Sequence, residues 1–124
     1  MGVFHVDLTI AGTGKRVRTT VIPKVMVDTG SELTWLPEAI LRSIAIEVRK
    51  KDQTFVMANG QRITRDVGYA VIRCGQFETV DEIVFAKPGD YSLLGARTLE
   101  GFNAQIDPVK KRLVAVGGMP AAGN

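Results

Sequence analysis

The chain alternates, and a period of two constrains it more than any other feature. Phe4, Val6, Leu8 and Ile10 fall on one side of an extended segment, with His5, Asp7 and Thr9 on the other, the pattern of a half-buried strand. Ala11-Gly12-Thr13-Gly14-Lys15 offers the positive-φ residues of a hairpin turn. Val17, Thr19 and Val21 then resume the alternation until Pro23, where the strand is expected to break. Lys24 to Val27 runs as a second apolar piece into Asp28, and Leu33 to Leu36 reads as another short strand. Pro37-Glu38 opens a helical turn or two, with Ile40, Leu41 and Ile44 spaced for one buried face. Thr54 to Met57 and Ile63 to Arg73 flank Ala58-Asn59-Gly60-Gln61, and Asn-Gly is the strongest short-range hairpin signal. Cys74-Gly75-Gln76 and Lys87-Pro88-Gly89-Asp90 are further turns around a strand from Glu78 to Ala86. Ser92 to Gly95 is a brief apolar strand, followed by a short helix near Ala96 to Gly101. Ala104 to Asp107 and Arg112 to Val116 form a last hairpin across Pro108-Val109-Lys110-Lys111. Short strands with turns at roughly 8–12-residue spacing mean an all-β fold, closed or sandwiched.

Composition removes several alternatives. At 124 residues the chain makes one domain, placed at residues 1–116, with 117–124 a Gly-, Ala- and Pro-rich flexible tail. No apolar run approaches the roughly 18 residues that cross a membrane, and Met1-Gly2-Val3-Phe4-His5 has no leader-like character. A single cysteine, Cys74, forbids an internal disulfide and points to the cytoplasm. The net charge of +3 comes from three small clusters, Lys15-Arg16-Arg18, Arg49-Lys50-Lys51 and Lys110-Lys111-Arg112. Each reads as a solvated turn rather than a basic face interleaved with aromatics, so no nucleic-acid partner is expected. Gly12-Thr13-Gly14-Lys15 has Thr9 where a phosphate-binding loop needs glycine, and Arg16 where it needs Ser or Thr. His5 is the one histidine, which excludes a triad or a histidine-rich metal site; it is expected to face solvent. Cys74, at a strand end with no histidine nearby in sequence, reads as structural, and Trp35 as core.

The chemistry concentrates at Val25-Met26-Val27-Asp28-Thr29-Gly30-Ser31-Glu32-Leu33-Thr34-Trp35-Leu36-Pro37. A carboxylate ends an apolar strand, beside a glycine that permits a sharp turn. This segment resembles the active-site segment of aspartic proteases. Leu93-Leu94-Gly95 before a short helix holding Leu99 is similar to the apolar-apolar-glycine motif of the single-lobed, retropepsin-like members. Leu99-Glu100-Gly101-Phe102-Asn103-Ala104-Gln105-Ile106-Asp107-Pro108 resembles their closing strand. The resemblance covers about residues 3 to 116 and implies a closed β-barrel of the acid-protease fold with one or two short helices. It places Leu93, Leu94 and Gly95 beneath the catalytic loop, and a substrate-covering flap at Ala58, Asn59, Gly60 and Gln61.

One Asp-Thr-Gly supplies one carboxylate, where the family's chemistry uses two, so the resemblance implies a homodimer with Asp28 meeting its copy across a two-fold axis. Two crowded carboxylates cannot both ionise cheaply and share one proton. The implied reaction is cleavage of extended, largely apolar peptides in mild acid by a water activated between the two aspartates, with no metal or other cofactor. Thr29 would bridge to the opposite loop, and the Gly30 amide would donate to the Asp28 carboxylate. Ser31 is expected to donate to the outer oxygen of Asp28, the alternative being a bond to backbone. Ala96-Arg97 departs from the relatives' pattern after the glycine, leaving two alternatives for the ion pair that braces their loop: absent, or rebuilt between Glu32 and Arg97. The competing function is a catalytically silent binding or assembly module on the same fold.

Overall fold

The structure, a computed structural model, describes residues 3–14, 18–119 and 121. The expectations for Lys15, Arg16 and Val17, and for most of the tail beyond Met119, lie outside the described residues. The order is β1 (His5–Ala11), β2 (Thr19–Val27), β3 (Thr34–Pro37), α1 (Glu38–Ser43), β4 (Lys50–Val56), β5 (Arg62–Cys74), β6 (Phe77–Ala86), β7 (Leu93–Leu94), α2 (Ala96–Phe102), β8 (Ala104–Asp107) and β9 (Arg112–Ala115). The protein is all-β with two short helices, as its alternation implies. Seven strands pair in the order β1-β2-β7-β3-β6-β5-β4, and β1 also pairs β5, so the run of neighbours returns on itself. β8 and β9 form a separate two-stranded sheet.

One expectation about β2 is corrected. Pro23 does not end the strand, which runs on to Val27 with Ile22 and Val25 buried and Val21 turned outward at 58% exposure. A bulge accommodates the proline. Val6 pairs Val25 and Leu8 pairs Ile22, so Pro23-Lys24 together oppose Asp7. Proline, lacking an N–H, is tolerated at a bulge, and Lys24 takes φ 57 there while its amide donates to Asp7 Oδ1 at 3.1 Å. A second bulge repeats the device. Lys50 pairs Val67 and Gln53 pairs Arg65, Asp52 has φ 52, and its amide donates to Asp66 Oδ1 at 3.0 Å. The Arg49-Lys50-Lys51 cluster is therefore not a turn: Lys50 and Lys51 sit within β4, on a distorted, exposed strand.

The core gathers Leu8, Ile10, Ile22, Val25, Leu36, Leu41, Ile72, Ile83, Phe85 and Leu94, with Leu99 and Phe102 contributed by α2. A smaller cluster of Leu33, Trp35, Val67, Val84 and Ala86 packs beside it, with Phe55, Ile63 and Leu93 against its side. The decisive topological detail is β7. It runs parallel to β2, pairing Met26 with Leu93 and Val27 with Leu94, and antiparallel to β3 through Trp35 and Leu93. The loop from Asp28 to Leu33 must therefore cross the end of β7 to reach β3.

Candidate active site

Asp28 leaves β2 at that crossing. Its amide donates to the Leu94 carbonyl at 3.0 Å, so β7 anchors the residue from below. The loop then folds onto itself: the Gly30 amide donates to Asp28 Oδ1 at 2.9 Å and the Ser31 amide to the Asp28 carbonyl at 3.2 Å. The first turn of α2 fixes the far side, the Ala96 amide donating to the Ser31 carbonyl at 2.8 Å and the Arg97 amide to the Glu32 carbonyl at 3.0 Å. Such closeness demands glycine at 95. A Cβ there would stand 2.4 Å from the Leu33 carbonyl oxygen and 2.5 Å from its carbon.

Asp28 is half-buried, while Thr29 and Gly30 on the crest of the loop are exposed. The carboxylate opens into a groove of about 620 Å³. Its floor is the loop itself with Leu33, Trp35 and Leu93; its roof is Phe55, Val56, Met57 and Ala58 at the end of β4; its far wall is Gly89, Asp90 and Tyr91. Trp35 is core as expected, 8% exposed, yet its remaining surface faces this groove, and its ring meets Phe55 edge-on with centroids 5.1 Å apart. The roof is a tight hairpin. The Met57 amide donates to the Gln61 carbonyl and the Gly60 amide to the Met57 carbonyl, each at 2.8 Å, Gly60 has φ 84, and the Gln61 amide donates to Asn59 Oδ1 at 2.9 Å.

Of the expected site residues the groove brings together Asp28, Gly30, Ser31, Ala58 and Leu93. Leu94 and Gly95 lie beneath it, both buried. Thr29, Asn59, Gly60 and Gln61 are exposed beyond its lining. One expectation is corrected. The Ser31 hydroxyl donates to the Leu33 carbonyl at 2.8 Å rather than to Asp28, because the loop's reversal brings that carbonyl within its reach. Of the two alternatives for the bracing ion pair, the Glu32–Arg97 pair does not form: the Arg97 guanidinium turns to Asp81 at 3.8 Å and Glu82 at 3.9 Å on β6, the side on which α2 packs. Phe55 and Tyr91 belong to no motif and join the site only through pairing and the Pro88-Gly89 turn, where Gly89 takes φ 95. Cys74 is half-buried, and burial, helped by Asp7, pushes its thiol above the ordinary value, so it is no ready nucleophile. His5 is exposed, as expected. No helix among the described residues is long and apolar enough to cross a membrane.

The family described as gag-polyprotein putative aspartyl protease matches residues 16–101, a span that holds Asp28, the hairpin roof and Leu93-Leu94-Gly95. No curated protein matches the chain.

Proposed function

The chain belongs to the gag-polyprotein aspartyl protease family, and from that premise we propose that it is an aspartic endopeptidase completed by a second copy of itself. One observation carries the reading: Asp28 is half-buried at the mouth of a groove, its Oδ1 already held by the Gly30 amide at 2.9 Å. A carboxylate braced on one oxygen and open on its other side is suited to share a water and a proton with a second carboxylate. The exposed crest at Thr29 and Gly30 is where a partner's loop would meet it, with the Thr29 hydroxyl free to reach across. In that pair the ionised aspartate takes a proton from the intervening water, and the protonated one polarises the peptide carbonyl. The water oxygen adds to the carbonyl carbon, the C–N bond then breaks as the leaving amine takes up a proton from the pair, and because water is the nucleophile no acyl-enzyme forms.

The groove's aromatic and aliphatic lining supports an extended peptide with large apolar side chains as substrate. Val56 and Met57 would add strand-like contacts from above, and closure would expel water from the reacting carbonyl. The test is cleavage of a peptide library across pH 3–8, with and without pepstatin, beside Asp28→Asn. Cleavage by the wild type that pepstatin and the variant both abolish supports the reading. An Asp28→Asn protein that still cleaves at a comparable rate overturns it.

A further inference from the structure

We infer that Thr34, Thr98 and Asp81 form an oriented hydrogen-bond chain that positions Asp28, a role that rests on reading Asp28 as catalytic. Thr34 on β3 and Thr98 on α2 are the two buried polar residues among those described, each 0% exposed, and their hydroxyl oxygens lie 2.6 Å apart. The geometry fixes every proton. The Gly95 amide can only donate, and it does so to Thr34 Oγ1 at 3.0 Å. The Thr98 hydroxyl donates to Asp81 Oδ2 at 2.9 Å. Having spent its one proton there, Thr98 must accept from Thr34.

The chain does not stop at Gly95. The amide of Gly95 and the carbonyl of Leu94 are two ends of one peptide unit, and that carbonyl accepts from the Asp28 amide at 3.0 Å. From Asp28 the bonds therefore run head to tail: through the Leu94–Gly95 peptide, Thr34 and Thr98, to the carboxylate of Asp81. Aligned bonds of this kind polarise one another, and a charged acceptor at the end strengthens each link. Asp81 is suited to that end. Its side chain is 10% exposed and faces Arg97 at 3.8 Å, while its Oδ1 accepts from the Glu82 amide at 2.7 Å. Packing alone does not require this arrangement, since valine matches threonine in shape. Valine would, however, leave a buried amide or carboxylate oxygen without its partner. Because Thr98 belongs to the helix whose first amides hold the Ser31 and Glu32 carbonyls, one rigid unit grips the loop from both sides. Arg97, the arginine not used on Glu32, instead steadies the charge on which the chain ends.

The experiment joins amide hydrogen exchange with steady-state cleavage for wild type, Thr98→Val, Thr98→Ser and Asp81→Asn. Thr98→Val should speed exchange at the Asp28 and Gly95 amides by about tenfold beyond any change at the β5 and β6 amides, which report global opening. Its kcat should fall about tenfold with KM moved less than about twofold, the mark of a displaced catalytic group rather than lost substrate contact. Asp81→Asn should shift both readouts in the same direction, and Thr98→Ser should restore both. Exchange that accelerates equally throughout the core would reduce the chain to a general stabilising role and overturn the inference. So would local acceleration with kcat unchanged in an active enzyme. If the wild type and Asp28→Asn are equally inert on peptides, the protease reading falls, while the exchange comparison still decides the chain.

Discussion

Arg65 holds Asp90 through two parallel hydrogen bonds, Nε to Oδ2 at 2.7 Å and Nη2 to Oδ1 at 2.9 Å. The pair ties β5, the strand that descends from the hairpin roof, to the turn forming the groove's far wall. Both side chains are largely shielded, 14% and 17% exposed, and the Lys87 amide adds a third bond to Asp90 at 2.8 Å. Charge therefore ties this wall to the sheet at Asp90, while Tyr91 in the same wall is 76% exposed.

The pH dependence of that pair has a definite sign. The Arg65 guanidinium, then the Lys87 amide, holds the Asp90 carboxyl below its ordinary value of 3.8. A carboxyl whose value falls on folding adds stability that is complete above the unfolded value and is lost as pH drops through the folded one. Asp90→Asn should therefore melt below wild type at pH 6, with the gap closing as pH falls beneath about 3.8. Arg65→Ala should cost about 2 kcal/mol at pH 6. Thermal melts across pH 2.5–7 check both, and a gap that is independent of pH would show that the pair's charge contributes nothing.

Gly95→Ala should damage both stability and cleavage. Its Cβ would meet backbone, the Leu33 carbonyl, at 2.4 Å, so the loop bearing Asp28 must move or the helix must. Overpacking of this kind costs about 1–3 kcal/mol, and a loop displaced by an ångström loses about hundredfold in rate. Gly12→Ala, whose Cβ would meet Ile46 Cδ1 at an ordinary 3.9 Å, is the matched control. Peptide cleavage and melting of the two variants, measured together, decide the case. Equal behaviour would mean the loop yields freely.

The sequence made the strands, the turns and Asp28 legible because alternation, Asn-Gly, Pro-Gly and Asp-Thr-Gly are all local signals. What it hid was two-sided. The Pro23-Lys24 bulge depends on Asp7 across the ladder, and no local pattern announces that a carboxylate will accept the Lys24 amide. Arg97 could be read toward Glu32 only while Asp81 and Glu82, on β6 and outside every motif, were out of view. Thr34 and Thr98, 64 positions apart, look like ordinary strand and helix threonines until β3, β6 and α2 are packed together. Phe55 and Tyr91 likewise become groove residues only through pairing and a turn.

Cleavage should depend on self-association. If each copy supplies one carboxylate, specific activity falls on dilution through the dimer dissociation constant, and mixing wild type with excess Asp28→Asn removes activity by forming half-mutant pairs. Sedimentation and initial rates over the same concentrations check this. A monomer that retains full specific activity would exclude a shared site.

Ser31→Ala should leave the acidic limb of the kcat/KM profile where it is. A hydroxyl has one proton to give, and Ser31 gives its proton to the Leu33 carbonyl at 2.8 Å. The oxygen of Asp28 that is held within the loop, Oδ1, takes its bond from the Gly30 amide instead, and a backbone amide cannot be removed by this substitution. A serine that donated to the carboxylate would favour its charged form, and losing it would carry the limb toward higher pH. Here the loss is felt by the backbone. The Leu33 carbonyl gives up one neutral hydrogen bond at a partly buried position, worth about 1 kcal/mol of stability, while the groove keeps its charge pattern. Superimposable profiles with a slightly lower melting temperature are thus the expected result. An acidic limb displaced upward by about half a unit, which corresponds to roughly 0.7 kcal/mol, would mean that the hydroxyl turns to Asp28 when the partner's carboxylate arrives.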